Sequence, residues 1–74
     1  MALNYSDDLF MLQVRLFRLA QSRWDKTTDE CENIFNKYDL NSYIKTCYEE
    51  YHIQGDEANI ADIEAHLQKK GCKL

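Results

Sequence analysis

The stretch "TTDECENIFNKYDLNSYIKTCYEEYH", residues 27–52, decides the fold because two helical periods meet in it across a very short break. Thr27 and Glu30 have the spacing of a capping box, in which each side chain satisfies the other's backbone amide. Behind them Cys31, Ile34, Phe35 and Tyr38 recur at i, i+3, i+4 and i+7, the period of one helix face. Asp39 follows the last periodic residue, and aspartate tolerates the left-handed conformation that ends many helices, though less well than glycine. A tight turn over residues 39–41 is therefore expected. Asn41 or Ser42 then caps a third helix, with Tyr43, Ile44, Cys47, Tyr48 and Tyr51 on one face and Lys45, Glu49 and Glu50 on the other.

Upstream, residues 6–25 read as a first helix. Leu9, Phe10, Leu12, Val14, Leu16, Phe17, Leu19, Ala20 and Trp24 give it a wide apolar face, and Arg15, Arg18 and Ser22 form a polar stripe. Ser6 is the expected N-cap, with Asp7 and Asp8 placing negative charge at the positive end of the helix dipole. Downstream, Gly55 reads as the stop of the third helix. A fourth, "DEANIADIEAHLQKKG", has Asp56 or Asn59 as cap, Ile60, Ile63 and Leu67 inward, and Gly71 as its end. Alternating strand-like patterns are absent, so the expected fold is all-α, a compact bundle of about four short helices over residues 1–74, frayed at 1–5 and 71–74.

Composition bounds the function. With 74 residues, 45% hydrophobic and no proline, the chain holds one small core. Its net charge of −4 disfavours nucleic acid and anionic membranes, which attract positive fields. The longest apolar run is broken by Gln13, Arg15 and Arg18 and falls short of a membrane span. Three cysteines, Cys31, Cys47 and Cys72, form no CxxC pair, which suits free thiols in a reducing cytoplasm. Cys31 and Cys47 fall on core faces, and Cys72 lies in the tail.

"EEYHIQGDE", residues 49–57, sets His52 among carboxylates. A histidine at a helix end can donate to the unsatisfied terminal carbonyls, which explains it locally. Catalysis would pair it with Glu49 or Asp56, yet no nucleophile, oxyanion site or phosphate-cradling loop accompanies it. No metal site is expected either: His52 and His66 lie fourteen residues apart, and "GDE" lacks the alternating oxygen ligands of a calcium loop. No cofactor is called for.

Leu3, Tyr5, Met11, Leu12 and Leu19, with five tyrosines and Trp24, are more apolar surface than such a domain easily hides. A non-enzymatic, protein-binding module is the expected function. Its expected interface takes Met11, Arg15 and Trp24 from the first helix, with Tyr48, Glu49, Glu50, His52, Asp56 and Glu57 around the third turn. The alternatives are a helix-turn-helix-like DNA-binding regulator, with residues 42–52 as recognition helix, or a self-associating dimer. The acids at Glu49 and Glu50 argue against the former.

The segment "IFNKYDLNSYIKTCYEEYHIQGDEANIADIEAHL" resembles a family of short bacterial proteins classed as a domain of unknown function. Their pattern runs through a phenylalanine and "KYG", then "YI", "CYE", "LH", a glycine and "DI". Matching positions are Phe35, Lys37, Tyr38, Tyr43, Ile44, Tyr48, Glu49, His52, Gly55, Asp62 and Ile63, and the resemblance spans roughly residues 27–67. Asp39 stands where the family commonly has glycine, and Tyr51 and Ile53 replace its usual leucine and threonine. The resemblance implies no catalytic role. It implies an antitoxin-like or adaptor protein that binds a neighbouring-gene toxin resembling an ADP-ribosyltransferase.

Overall fold

The computed structural model describes the backbone of residues 5–74 and the side chains from Asp7 onward. It is all-α, with helices α1 (Tyr5–Arg23), α2 (Thr28–Lys37), α3 (Leu40–Thr46), α4 (Tyr48–Tyr51) and α5 (Asp56–Lys69). No strand occurs among the described residues. Helix α1 is the central element and packs against α5, α2 and α3. It begins by Tyr5, before the expected cap Ser6, whose side chain lies outside those described, as do Leu3 and the side chain of Tyr5.

The core follows the helical periods. Leu9, Leu12, Leu16 and Ala20 of α1 meet Cys31 and Phe35 of α2, Leu40 and Ile44 of α3, Tyr48 and Tyr51 of α4, and Ile60, Ile63 and Leu67 of α5. Each aliphatic side chain so buried contributes roughly 1.5–3 kcal/mol, which a chain of this size can hardly spare. Most of the expected surplus belongs to this interior: Leu12, Trp24, Tyr48 and Tyr51 are buried, and Leu19, Tyr38 and Tyr43 are half-buried against the core.

Three of the connections are left-handed single residues. Asp25, with φ 52°, ends α1: the Lys26 amide donates to the Gln21 carbonyl and the Asp25 amide to that of Ser22. That pattern satisfies carbonyls the helix end leaves over. Gly71, with φ 84°, ends α5 likewise: the Cys72 amide donates to the Leu67 carbonyl and holds half-buried Cys72 against the core. Asp39, with φ 51°, turns α2 into α3 as its sequence position predicts. The capping box of α2 is formed, the Thr27 amide donating to Glu30 Oε1 at 2.9 Å and the Glu30 amide to Thr27 Oγ1 at 3.1 Å. Those bonds, led by the Thr27 amide, hold the Glu30 carboxyl below its ordinary value.

The structure corrects three boundaries. Helix α3 starts at Leu40, ahead of the expected caps Asn41 and Ser42, because Leu40 is fully buried and the turn closes on Asp39 alone. The expected third helix is two: at Cys47, φ −92° and ψ 8°, the backbone leaves the helical region and resumes as α4. Gly55 is the N-cap of α5, in an extended conformation with φ −74°, and α4 ends at His52 in the ordinary right-handed region. Asn59, an alternative cap from sequence, is instead fully buried within α5.

Asp39 is the sharpest test of this wiring, since its conformation strains any side chain with a Cβ. Asp39→Gly is expected to equal or exceed the parent in urea midpoint, and Asp39→Val to lose about 1–2 kcal/mol. Equal stability of the two variants would contradict the turn geometry.

Candidate functional site

Along one side of α1, Asp8, Met11, Leu12 and Arg15 stand at i, i+3, i+4 and i+7 and so share a face. Tyr48, the first residue of α4, and His52, which caps its end, complete a cleft of about 370 Å³ with them. Met11, Arg15, Tyr48 and His52 are all expected interface residues, and the fold brings the four into this one cleft. Asp8, from sequence only a dipole acid, joins them. Its i, i+3, i+7 relation to Met11 and Arg15 is the signal that could have found it.

Each polar group in the cleft has a definite partner. His52 Nδ1 lies 3.0 Å from the Tyr48 carbonyl oxygen, which can only accept, so Nδ1 carries the proton and caps the last turn of α4. The imidazole also stacks on the Tyr48 ring, centroids 5.0 Å apart and planes within 19°. The Tyr48 hydroxyl donates a long bond, 3.5 Å, to Asp8 Oδ2. Arg15 Nε donates to Asp56 Oδ2 at 3.1 Å and ties the cleft to the first turn of α5.

The remaining expected interface residues fall differently. Trp24, expected as an exposed anchor, is only 8% exposed. Its ring packs against Phe35 at 6.4 Å and its Nε1 donates to Glu64 Oε2 at 2.8 Å, so it closes the far end of the α1–α5 seam. Tyr48 is 9% exposed and belongs to the core, only its polar edge reaching the cleft. Glu57 pairs with Arg23 at 3.0 Å, and Arg23 also donates to Glu64 at 2.8 Å. Burial by itself would raise the Glu64 carboxyl, but the bonds from Arg23 and Trp24 outweigh it and hold it below the ordinary value. Glu49 and Glu50 stay exposed on α4.

Behind the cleft, α4 is anchored by polar groups of α5 that sequence reasoning missed. Asn59 Nδ2 donates to the Tyr51 carbonyl at 2.9 Å, while Asn59 Oδ1 accepts from Gln54 Nε2 at 2.9 Å. Asp62 Oδ2 accepts the hydroxyls of Tyr51 at 2.5 Å and Tyr43 at 2.9 Å, and His66 stacks on Tyr43 with ring centroids 3.8 Å apart. Burial first, then the Asp62 carboxylate, pushes the Tyr43 phenol up to about 12 and the Tyr51 phenol higher still. Burial alone pushes the Cys31 thiol up to about 11, and chiefly raises that of half-buried Cys47.

On the other side of α1, Phe10, Val14, Phe17 and Arg18 form a second groove with Asn41. Phe10 is 62% exposed and Met11 47%, so the two neighbours rim the two grooves with α1 as the ridge between. No helix among the described residues is long and apolar enough to cross a membrane, and none of them forms a cluster of acids, histidines and cysteines fit for a metal.

The chain belongs to the family described as Protein of unknown function (DUF3791), whose sequence profile matches residues 12–70. No curated protein and no solved structure matches it. The matched span contains α2 to α5 whole and most of α1, hence every residue of the cleft except Asp8 and Met11.

The tyrosine cluster has a measurable signature. Unfolded tyrosines ionise near 10, whereas folded Tyr43 and Tyr51 hold their protons to higher pH. Their contribution to stability is therefore complete below about pH 10 and is lost as pH rises above it. Tyrosinate absorbance should show a late fraction that appears only as the fold melts. Titration of all tyrosines together near 10, with stability unchanged, would contradict the Asp62 anchoring.

Proposed function

We propose that this chain is a non-enzymatic, protein-binding module of the bacterial cytoplasm, antitoxin-like or adaptor-like in kind. The observation that carries the reading is the pair of large apolar side chains, Phe10 and Met11, standing in solvent on one turn of the central helix with an open groove on either side. Monomeric domains expose single apolar residues freely, but a ridge of them flanked by grooves is the form a docking surface takes. Ile53, just beyond α4, is a further exposed apolar side chain, 78% accessible.

Site chemistry favours binding over turnover. The phenols of Tyr43 and Tyr51 and the thiols of Cys31 and Cys47 are all shifted upward, away from neutrality, where an activated nucleophile or base would be shifted towards it. In the cleft, His52 is committed to a backbone carbonyl and Arg15 to Asp56. All three cysteines are free, which suits a reducing compartment. Pairing of Arg15 and Arg23 with carboxylates of α5 also removes much of the positive field that a DNA-binding reading would need. Such surface pairs are individually weak in stability, but they cancel charge where a phosphate would have to approach.

The first partner to test is the neighbouring-gene product that the resemblance implies, a protein resembling an ADP-ribosyltransferase toxin. Co-expression followed by size exclusion is expected to give a stable one-to-one complex. Phe10→Glu with Met11→Glu should keep the melting temperature, since surface substitutions move stability by about 0.5 kcal/mol or less, and should abolish the complex. A partnerless monomer that turns over a substrate would overturn the proposal, as would a discrete homodimer or a salt-dependent complex with duplex DNA.

A further inference from the structure

We infer that the cleft between α1 and α4 receives a basic, amphipathic helix of the partner, anchored by an arginine or lysine. The inference rests on the protein-binding reading above and specifies the chemistry of the occupant.

The shape fixes the class of ligand. The cleft runs along Asp8, Met11, Leu12 and Arg15, seven residue steps of α1, or about 10 Å of helix at 1.5 Å per residue. Two turns of a partner helix, with anchors at i and i+3 or i+4, match that length. An extended peptide would dock by adding to a sheet edge, and the described residues hold no strand to offer one. At about 370 Å³ the space takes one or two long side chains rather than a large cofactor.

Charge and surface chemistry fix the anchor. Met11 and Leu12 give the cleft an apolar wall, and the stacked rings of Tyr48 and His52 give it an aromatic one. Asp8 stands within the cleft, and Glu49 and Glu50 lie on the four-residue helix that begins at Tyr48 and is capped by His52. Among the described residues none of these three carboxylates forms an ion pair, whereas Asp56, Glu57 and Glu64 are all paired with arginines of α1. Asp8 lines the cleft itself and Glu49 and Glu50 are exposed on the helix beside it, in a protein whose formal net charge is −4. A long cationic side chain suits both features. Its methylene stem covers Met11 and Leu12, a guanidinium lies over the aromatic wall, and the charge meets Asp8 and Glu49. The cation Arg15 does not repel it strongly, because Asp56 already neutralises that guanidinium.

A phage-displayed library of random linear peptides, panned on the full chain, tests this whatever the partner's identity. Enriched peptides are then titrated by fluorescence anisotropy against the parent and against Asp8→Asn/Glu49→Gln/Glu50→Gln, whose melting temperature is checked first. Expected are enriched sequences rich in arginine and lysine with apolar residues at helical spacing, which become helical on binding. Their affinity should fall about tenfold in the charge variant and fall further with added salt, and their resonance shifts should centre on Met11, Tyr48 and His52. Neutral or acidic enriched peptides, equal affinity for the charge variant, or shifts centred on Phe10, Val14 and Phe17 would overturn the inference while leaving a protein-binding module intact. A library yielding no ligand would overturn it too, and the co-purification then decides separately whether the module itself survives.

Discussion

The amide of Asn59 is the constraint on which the working side of this molecule depends. Helix α4 has four residues, too few to nucleate or hold a helix by its own hydrogen bonds. It is held from behind: Asn59, fully buried, donates to the carbonyl of Tyr51 and accepts from Gln54, and Asp62 takes the Tyr51 hydroxyl. A buried amide is tolerated only when its donors and acceptors are met, and here it meets groups that the end of α4 would otherwise leave unsatisfied. With α4 fixed at Tyr51, Tyr48 and His52 fall one turn apart against α1, and the cleft exists. Asn59 thus sets the site without touching it.

Charge is distributed with a similar economy. Helix α1 carries its paired arginines at residues 15 and 23, and α5 answers with Asp56, Glu57 and Glu64. The α1–α5 seam is thereby closed by opposite charges at both ends, with Trp24 adding an indole N–H to the Glu64 carboxylate. Among the acids outside these pairs, Asp8 lies in the cleft beside Met11, and Glu49 and Glu50 stay exposed on α4. A domain this small cannot enclose every large side chain, and two of those it leaves out, Phe10 and Met11, stand on the helix that all the larger helices touch or adjoin.

Helix existence is legible in the sequence because it is a local matter of period and cap. The capping box at Thr27 and Glu30, the inner face of Ile60, Ile63 and Leu67, the αL turn at Asp39 and the stop at Gly71 all follow from neighbours a few residues apart. At Asp39 the positive φ also supplies a physical reason for the glycine that the resembled pattern carries there. The rest is set by tertiary contacts that no window contains. Trp24 reads as a spare aromatic until Phe35 and Glu64, distant in sequence, enclose it. The break at Cys47 carries no glycine or proline to announce it. Asn59 reads as a cap because asparagine often is one, although its place one turn before Ile63 puts a polar residue on a core face, and that is the signal to heed. Of the six residues lining the cleft, Met11, Arg15, Tyr48 and His52 are legible as interface, whereas Asp8 and Leu12 read only as a dipole acid and as surplus surface.

Native-state hydrogen exchange on Asn59→Ala tests most directly the claim that α5 holds α4 and thereby forms the cleft. The amides of Tyr51 and His52, bonded to the carbonyls of Cys47 and Tyr48, should lose protection selectively. Those of α1 and the rest of α5 should keep theirs, apart from the uniform loss of about 1–3 kcal/mol expected when a buried carbonyl loses its donor. Unchanged protection in α4, or an equal loss throughout the molecule, would contradict it and leave the cleft without the support on which its function is argued.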